Sequence, residues 1–96
     1  MHAVMRSYSG KGTKALFDIL EKNKAEVEKV IRPVKGFVGY SLVRTASGGF
    51  SVTVCQDKAG TDESVHVARD WIAKNASKTG SAAPKVSEGT VMLHLK

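Results

Sequence analysis

The chain has one cysteine among its 96 residues, and that scarcity excludes two classes at once. Cys55 alone makes neither an internal disulfide nor a zinc site built on several cysteines. Long apolar runs are also missing: no stretch approaches the roughly 18 residues that a membrane helix needs. The opening segment, MHAVMRSYSGKG, lacks the apolar core of a secretory signal, so a cytoplasmic domain is the expectation. Charge of one sign never accumulates. The balance is 15 basic against 9 acidic residues, a net +6, yet no tract holds five like charges. Asp18–Lys22 and Lys24–Glu28 stand at i,i+4 spacing, the pattern of a solvated helix face rather than of a nucleic-acid footprint. No paired carboxylates mark a hydrolase, and no Ser/His/Asp set stands out.

What is present is an ordinary globular composition, 42% apolar and 25% charged. Its length fits one domain, residues 1–96. A single core of this size is thin, and self-association is a common remedy.

Hydrophobic patterning divides the chain into six elements. His2–Ser9 alternates as a strand, with Val4, Arg6 and Tyr8 on one side and Ala3, Met5 and Ser7 on the other. Gly10-Lys11-Gly12 breaks it, and Thr13 is placed to cap a helix. The stripe Leu16, Ile19, Leu20, Val27, Val30, Ile31 predicts one helix that ends before Pro33. The next strand runs from Gly36 to Thr45, with Val38, Tyr40 and Leu42 opposed to Phe37, Gly39, Ser41 and Val43. A turn at Ser47-Gly48-Gly49 joins it to the β-branched strand Phe50–Gln56. Thr61, followed by Asp62 and Glu63, predicts the start of a second helix with the stripe Val65, Ala68, Trp71, Ile72, Ala76. A loop, 77–84, leads to a last strand at Thr90–Leu95.

The order β-α-β-β-α-β is the split, ferredoxin-like α+β arrangement: a four-stranded antiparallel sheet with two helices on one face. Several strands carry apolar residues on both faces, and helices cover only one of them. A second copy of the chain is the expected cover for the other, which makes a homodimer the reading.

The run Pro33-Val34-Lys35-Gly36-Phe37-Val38-Gly39-Tyr40-Ser41-Leu42-Val43-Arg44 resembles the PGF-xxY-x-L-x-R strand of dimeric α/β-barrel proteins, which include the antibiotic biosynthesis monooxygenase superfamily. The likeness continues through Gly49–Val54, the helix carrying Ser64, Ala68, Trp71 and Ile72, and Pro84–Gly89. It implies two sheets facing each other in a barrel, with a small-molecule pocket between each sheet and its own helices. It also implies activities from cofactor-free oxygenation of phenolic rings to haem degradation. Haem-degrading members use an asparagine, a tryptophan and a histidine. Here the first strand has Arg6 and Ser7 in place of an asparagine, and no histidine follows Trp71 until His94. That departure points away from haem, and no cofactor is expected.

Trp71 and Asn75, four apart on the second helix, are the candidate catalytic pair, the ring stacking on a flat ligand and the amide binding its oxygen. Against this stands a plain reading in which Trp71 anchors the core and Asn75 ends the helix. If the pair is catalytic, replacing either by alanine should cut ring oxidation with little loss of fold. Tyr40 and Arg44 share one strand face as candidate substrate-binding residues, or pack at an interface and reach solvent respectively. His94 alternates with Met92 and is the third candidate. His66 and Asp70, four apart, are expected to form an exposed ion pair. Gly10-Lys11-Gly12-Thr13 lacks the frame of a phosphate loop and reads as a turn.

Two functional classes follow. One is a homodimer that binds a small aromatic or enolic molecule, either as a cofactor-independent monooxygenase or as a non-catalytic ligand-binding or structural dimer. The other is an RNA-recognition-like binder with the same element order. Its signature strand needs several aromatics, and Gly48–Cys55 has only Phe50.

Overall fold

The computed structural model describes every residue from Met1 to Lys96. Strand β1 spans His2–Ser9, helix α1 Thr13–Lys22 and helix α2 Lys24–Ile31. Strands β2 and β3 cover Phe37–Thr45 and Gly48–Cys55, helix α3 runs Lys58–Asn75, and a 3-10 turn at Ser77–Thr79 precedes strand β4, Lys85–Thr90. The sheet is antiparallel in the order β2-β3-β1-β4. The α+β class and the split topology are those expected from the sequence.

Several local details differ from expectation. Thr13 does not cap the first helix: Gly12, in the left-handed region at φ 84°, holds the cap position, and Thr13 is the first helical residue, its hydroxyl capping nothing. The single helix predicted up to Pro33 is two helices, parted at Asn23. The Asn23 side chain donates to the Ile19 carbonyl at 2.8 Å, competing for the backbone as asparagine does and closing α1 at Lys22. Helix α3 starts ahead of Thr61, because the Asp57 carboxylate caps it by accepting from the Gly60 amide at 3.3 Å. Gly60 is required there, since a Cβ would lie 2.1 Å from the Lys35 carbonyl oxygen.

In β2 the register slips between Phe37 and Gly39, leaving Val38 as a bulge. Simple alternation sets Phe37 opposite Tyr40. The bulge shifts the phase, so Phe37, Tyr40, Leu42 and Arg44 line one groove on the helix side. Finally, the last strand is Lys85–Thr90 and not the expected Thr90–Leu95, the two sharing only Thr90. Thr90 pairs with His2, where β1 begins, and the Val91 amide donates to the Met1 carbonyl at 3.0 Å, so the alternating residues from Met92 onward have no strand of this chain to pair with. Met92, Leu93 and Leu95 are consequently 92%, 76% and 80% exposed.

The core lies between the sheet and the helices: Tyr8, Leu16, Phe17, Leu20, Val27, Ile31, Ala68, Trp71 and Ala76. Central strand β3 presents Gly49, Ser51, Thr53 and Cys55 to the helices, all small and buried. This smallness brings α1 close: a Cβ on Gly49 would meet the Phe17 ring at 2.3 Å. The Phe17 ring in turn stands edge-on to Tyr8, with centroids 5.9 Å apart. On the opposite face, Met5 and Val43 are exposed, and Phe50, Val52 and Val54 are only half-buried.

Candidate functional site

Alternation along β1 drives Val4, Arg6 and Tyr8 into the layer between sheet and helices. Two of these are polar, and β3 adds Ser51 and Thr53 on the same side. The result is a polar cluster inside an apolar core. Arg6 is 4% exposed, and its Nη1 donates to the Tyr8 hydroxyl at 3.2 Å. No carboxylate lies within 4.0 Å of its guanidinium, and its Nε has no hydrogen-bond partner. Three more buried polar atoms of the cluster are also unpartnered: Ser51 Oγ, Thr53 Oγ1 and the indole Nε1 of Trp71. Native cores leave few such groups, because each carries a desolvation penalty of about 1–3 kcal/mol. Their concentration in one place makes this layer the candidate site of the chain.

Both tyrosines of the chain belong to this cluster. Burial pushes the Tyr8 phenol above its ordinary range, with Arg6 partly opposing the rise. Burial also raises Tyr40, again offset in part by the Arg6 charge, with Ser51 acting in the same sense. No well-aligned hydrogen bond joins Tyr40 to either residue, so its hydroxyl remains available. Neutral tyrosines of this kind are hydrogen-bond donors and poor bases.

Three spaces surround the cluster. A narrow crevice of about 20 Å³ holds Arg6, Tyr8, Tyr40, Ser51 and Trp71 against α1, α2 and α3, room for little more than a water molecule. Arg6, Tyr8 and Ile72 also border a cavity of about 410 Å³ between α3 and the segment 77–86. A third space, about 350 Å³, is the groove between the first two helices and β2, which contains Tyr40 and Arg44.

The sequence candidates are distributed among these spaces. Trp71 is 8% exposed and lines the crevice with Tyr40. Asn75 is exposed and lines a separate polar groove beside Ala15 and Ile19; its Nδ2 donates to the Trp71 carbonyl at 2.9 Å, closing the end of α3. The pair therefore share a helix but no cavity. Tyr40 and Arg44 share the β2 groove, as their spacing implies. The guanidinium of Arg44 is already engaged, donating to Asp18 at 2.7 Å and Glu21 at 3.1 Å. These contacts draw Asp18 away from Lys22, the i,i+4 partner its position suggested. His94 lies on the exposed segment after β4. His66 and Asp70 are exposed and do not come within 4.0 Å of each other, so the expected ion pair is absent. Arg6 was not among the candidates. Its signal was nonetheless present, as a charge in phase with Val4 and Tyr8 on a strand whose other side is Ala3, Met5 and Ser7.

The donor set does not suit haem. No histidine borders the crevice, the large cavity or the β2 groove. His2 is occupied with Thr61 at 2.9 Å and Glu88 at 3.6 Å. No three His, Cys, Asp or Glu side chains converge to hold a metal ion.

No family model matches the chain, and no curated protein matches it in sequence. Solved structures do resemble it. The heme-degrader MhuD from Mycobacterium tuberculosis, with two hemes bound in its active site, superposes at a TM-score of 0.70 with 16% identity, covering 100% of both chains. A monooxygenase from Streptomyces coelicolor in complex with nanaomycin D gives 0.63 at 15% identity, over 99% of this chain and 90% of that one. A dimeric ferredoxin-like protein from an uncultured marine organism gives 0.63 at 8% identity, over 99% and 95%. Likeness at these identities is a likeness of fold. The chain thus has the ferredoxin-like fold shared by antibiotic biosynthesis monooxygenase-type structures, among which both oxygenases and a haem degrader occur.

Proposed function

We propose that the protein is a homodimer that binds a small aromatic or enolic molecule in the layer between its sheet and its helices. The observation that carries this reading is the polar cluster in which Arg6 Nε, Ser51 Oγ and Trp71 Nε1 are buried without partners, and from which Arg6 and Tyr8 reach a 410 Å³ cavity. A cavity of that size suits a ligand of one or two rings. Of the cluster, Arg6 and Tyr8 face that cavity, while Trp71 and Tyr40 stand behind them along the narrow crevice. Asn75 contributes only through the end of α3, and Arg44 through its hold on α1.

The reaction that best suits such a site is cofactor-independent monooxygenation. There the substrate supplies the electrons: an enolisable CH2 reacts with O2 to give a carbonyl, and the second oxygen atom leaves as water. The protein's part is to position the enol, exclude bulk water and hold the substrate oxygen with donors. Oxygen uptake with a panel of anthrones and hydroquinones, with no cofactor added, tests it. Uptake that depends on the protein supports the reading. Binding without uptake leaves a non-catalytic ligand-binding dimer, and no binding at all refutes the site.

The dimer rests on two further features. The outer sheet face carries Met5, Val43, Phe50, Val52 and Val54, and beyond Val91, whose amide donates to the Met1 carbonyl at 3.0 Å, the alternating residues Met92–Leu95 have no strand of their own chain beside them. A second copy satisfies both, by covering the face and accepting the tail at a sheet edge. Light scattering should give twice the 10.3 kDa chain mass. Deleting the residues after Thr90 should shift that value toward the monomer.

A further inference from the structure

The ligand-binding reading says nothing about the charge of the ligand, and Arg6 does. Its guanidinium is 4% exposed, so it is nine-tenths buried with room to spare. A buried guanidinium keeps its charge, and in a folded protein a carboxylate normally answers it. Here none does. The only side chain bonded to it is the neutral Tyr8 hydroxyl, and Nε points to no acceptor. The shortage of acid extends to the whole neighbourhood. Neither the crevice nor the 410 Å³ cavity has an aspartate or glutamate in its wall, whereas the cavity has two arginines, Arg6 and Arg69. The groove along β2 is different, because its Arg44 and Arg32 are matched by Asp18, Glu21 and Glu28 at 2.7–3.1 Å. On the Arg6 side of the layer the buried positive charge has no acid to answer it.

We infer that the ligand is an organic oxyanion, a carboxylate or enolate on an apolar ring body, seated in the cavity between α3 and residues 77–86 with its charged oxygens on Arg6. The geometry suits the two ends of such a molecule. Leu16, Ile72, Pro84 and Val86 give the cavity an apolar wall for the ring. Arg6, at the boundary with the crevice, offers a planar fork for the oxygens, and Arg69 adds a second positive charge. This inference rests on the small-molecule reading above and specifies it.

Isothermal titration with matched probes tests it, using naphthoate against naphthylmethanol, and lawsone, an enolate at neutral pH, against its uncharged methyl ether. The titrations use the full chain in a buffer free of phosphate and sulfate. Each anion is expected to bind about tenfold tighter than its neutral partner, the margin of one charge-assisted hydrogen bond. A preference confined to naphthoate identifies the ligand as a carboxylate, and one confined to lawsone as an enolate. In Arg6→Gln, which keeps a polar group beside Tyr8 but no charge, anion and neutral probe should bind alike. Arg6→Lys should keep part of the preference. Equal binding of anion and neutral partner by the unaltered protein overturns the inference while leaving the small-molecule site standing. Failure of all four probes to bind overturns both. A preference that survives in Arg6→Gln places the anion elsewhere and overturns the assignment to Arg6.

Discussion

Burying a charge with no partner should leave a measurable mark on stability, and the double replacement Arg6→Met with Tyr8→Phe exposes it. In the unliganded protein Arg6 gives one hydrogen bond, at 3.2 Å, and no ion pair. Taking a guanidinium out of water costs several kcal/mol even after the protein relaxes. A hydrogen bond from a charged donor returns only about 1.5–3 kcal/mol. Replacing Arg6 alone is a poor measure, since it strands the buried Tyr8 hydroxyl at a cost of about 1–3 kcal/mol and the two effects nearly cancel. Replacing both partners by apolar side chains of similar shape removes the charge and the orphan together. Buried ionic groups exchanged in this way have gained about 1–4 kcal/mol, and we expect the lower half of that range because Met is smaller than Arg. For a domain of this size each kcal/mol moves Tm by about 4–8 °C. Urea unfolding followed by far-UV circular dichroism, at one fixed chain concentration, measures the difference. A loss of stability larger than about 1 kcal/mol in the double variant would refute the reasoning, since it would mean that Arg6 is a structural group already satisfied in the empty protein.

Gly49→Ala should destabilise the fold by about 1–3 kcal/mol, as overpacking does, because the new methyl meets the Phe17 ring at 2.3 Å and the Val43 carbonyl at 2.6 Å; urea midpoints measure it. Trp71→Ala should lose about 3–5 kcal/mol by opening a core cavity, because Trp71 is 8% exposed, so the expectation that it would leave the fold nearly untouched does not survive its burial. Tyr8 and Tyr40 both ionise later in the folded chain than their ordinary value of 10.0. Their contribution to stability is therefore complete below pH 10 and lost as pH climbs through the folded values, because the unfolded chain gives up those protons first; alkaline titration of tyrosinate absorbance in the folded protein should show no ordinary tyrosine. Asp18 behaves in the opposite sense. Arg44, then Lys14, hold its carboxyl below the usual 3.8, so what it contributes is present above that pH and disappears as pH falls through the lower folded value. Asp18→Asn should erase that acid-side difference in a stability-against-pH series.

Much of the architecture could be read from the sequence because its signals are local and periodic. Pro33 lacks the amide that a continuing helix needs, so α2 ends just ahead of it, and the strand alternation from His2 to Ser9 survives intact in the sheet. The features that escaped depend on groups distant in sequence. Nothing around Thr90 says that β4 must stop, since that follows from where β1 begins. The bulge at Val38 is invisible to a period-two pattern, which is why Phe37 changed sides. The site was the least legible part. Spacing along one helix suggested Trp71 with Asn75, but a helix face says little about which cavity each end of it meets. Arg6 could have been singled out by its phase alone, whereas the absence of any acid near it emerges only when three strands and three helices are assembled.

The aromatic chromophores are also unevenly placed. The protein has one tryptophan and two tyrosines, and all three, Trp71, Tyr8 and Tyr40, border the same crevice. Its absorbance near 280 nm and its near-ultraviolet circular dichroism therefore come almost wholly from one spot, and so does its intrinsic fluorescence. In most proteins such spectra average over the fold. Here they report on the layer beside Arg6, while the far-ultraviolet signal reports on helices and strands. Occupancy and unfolding can thus be followed at separate wavelengths in one unlabelled sample.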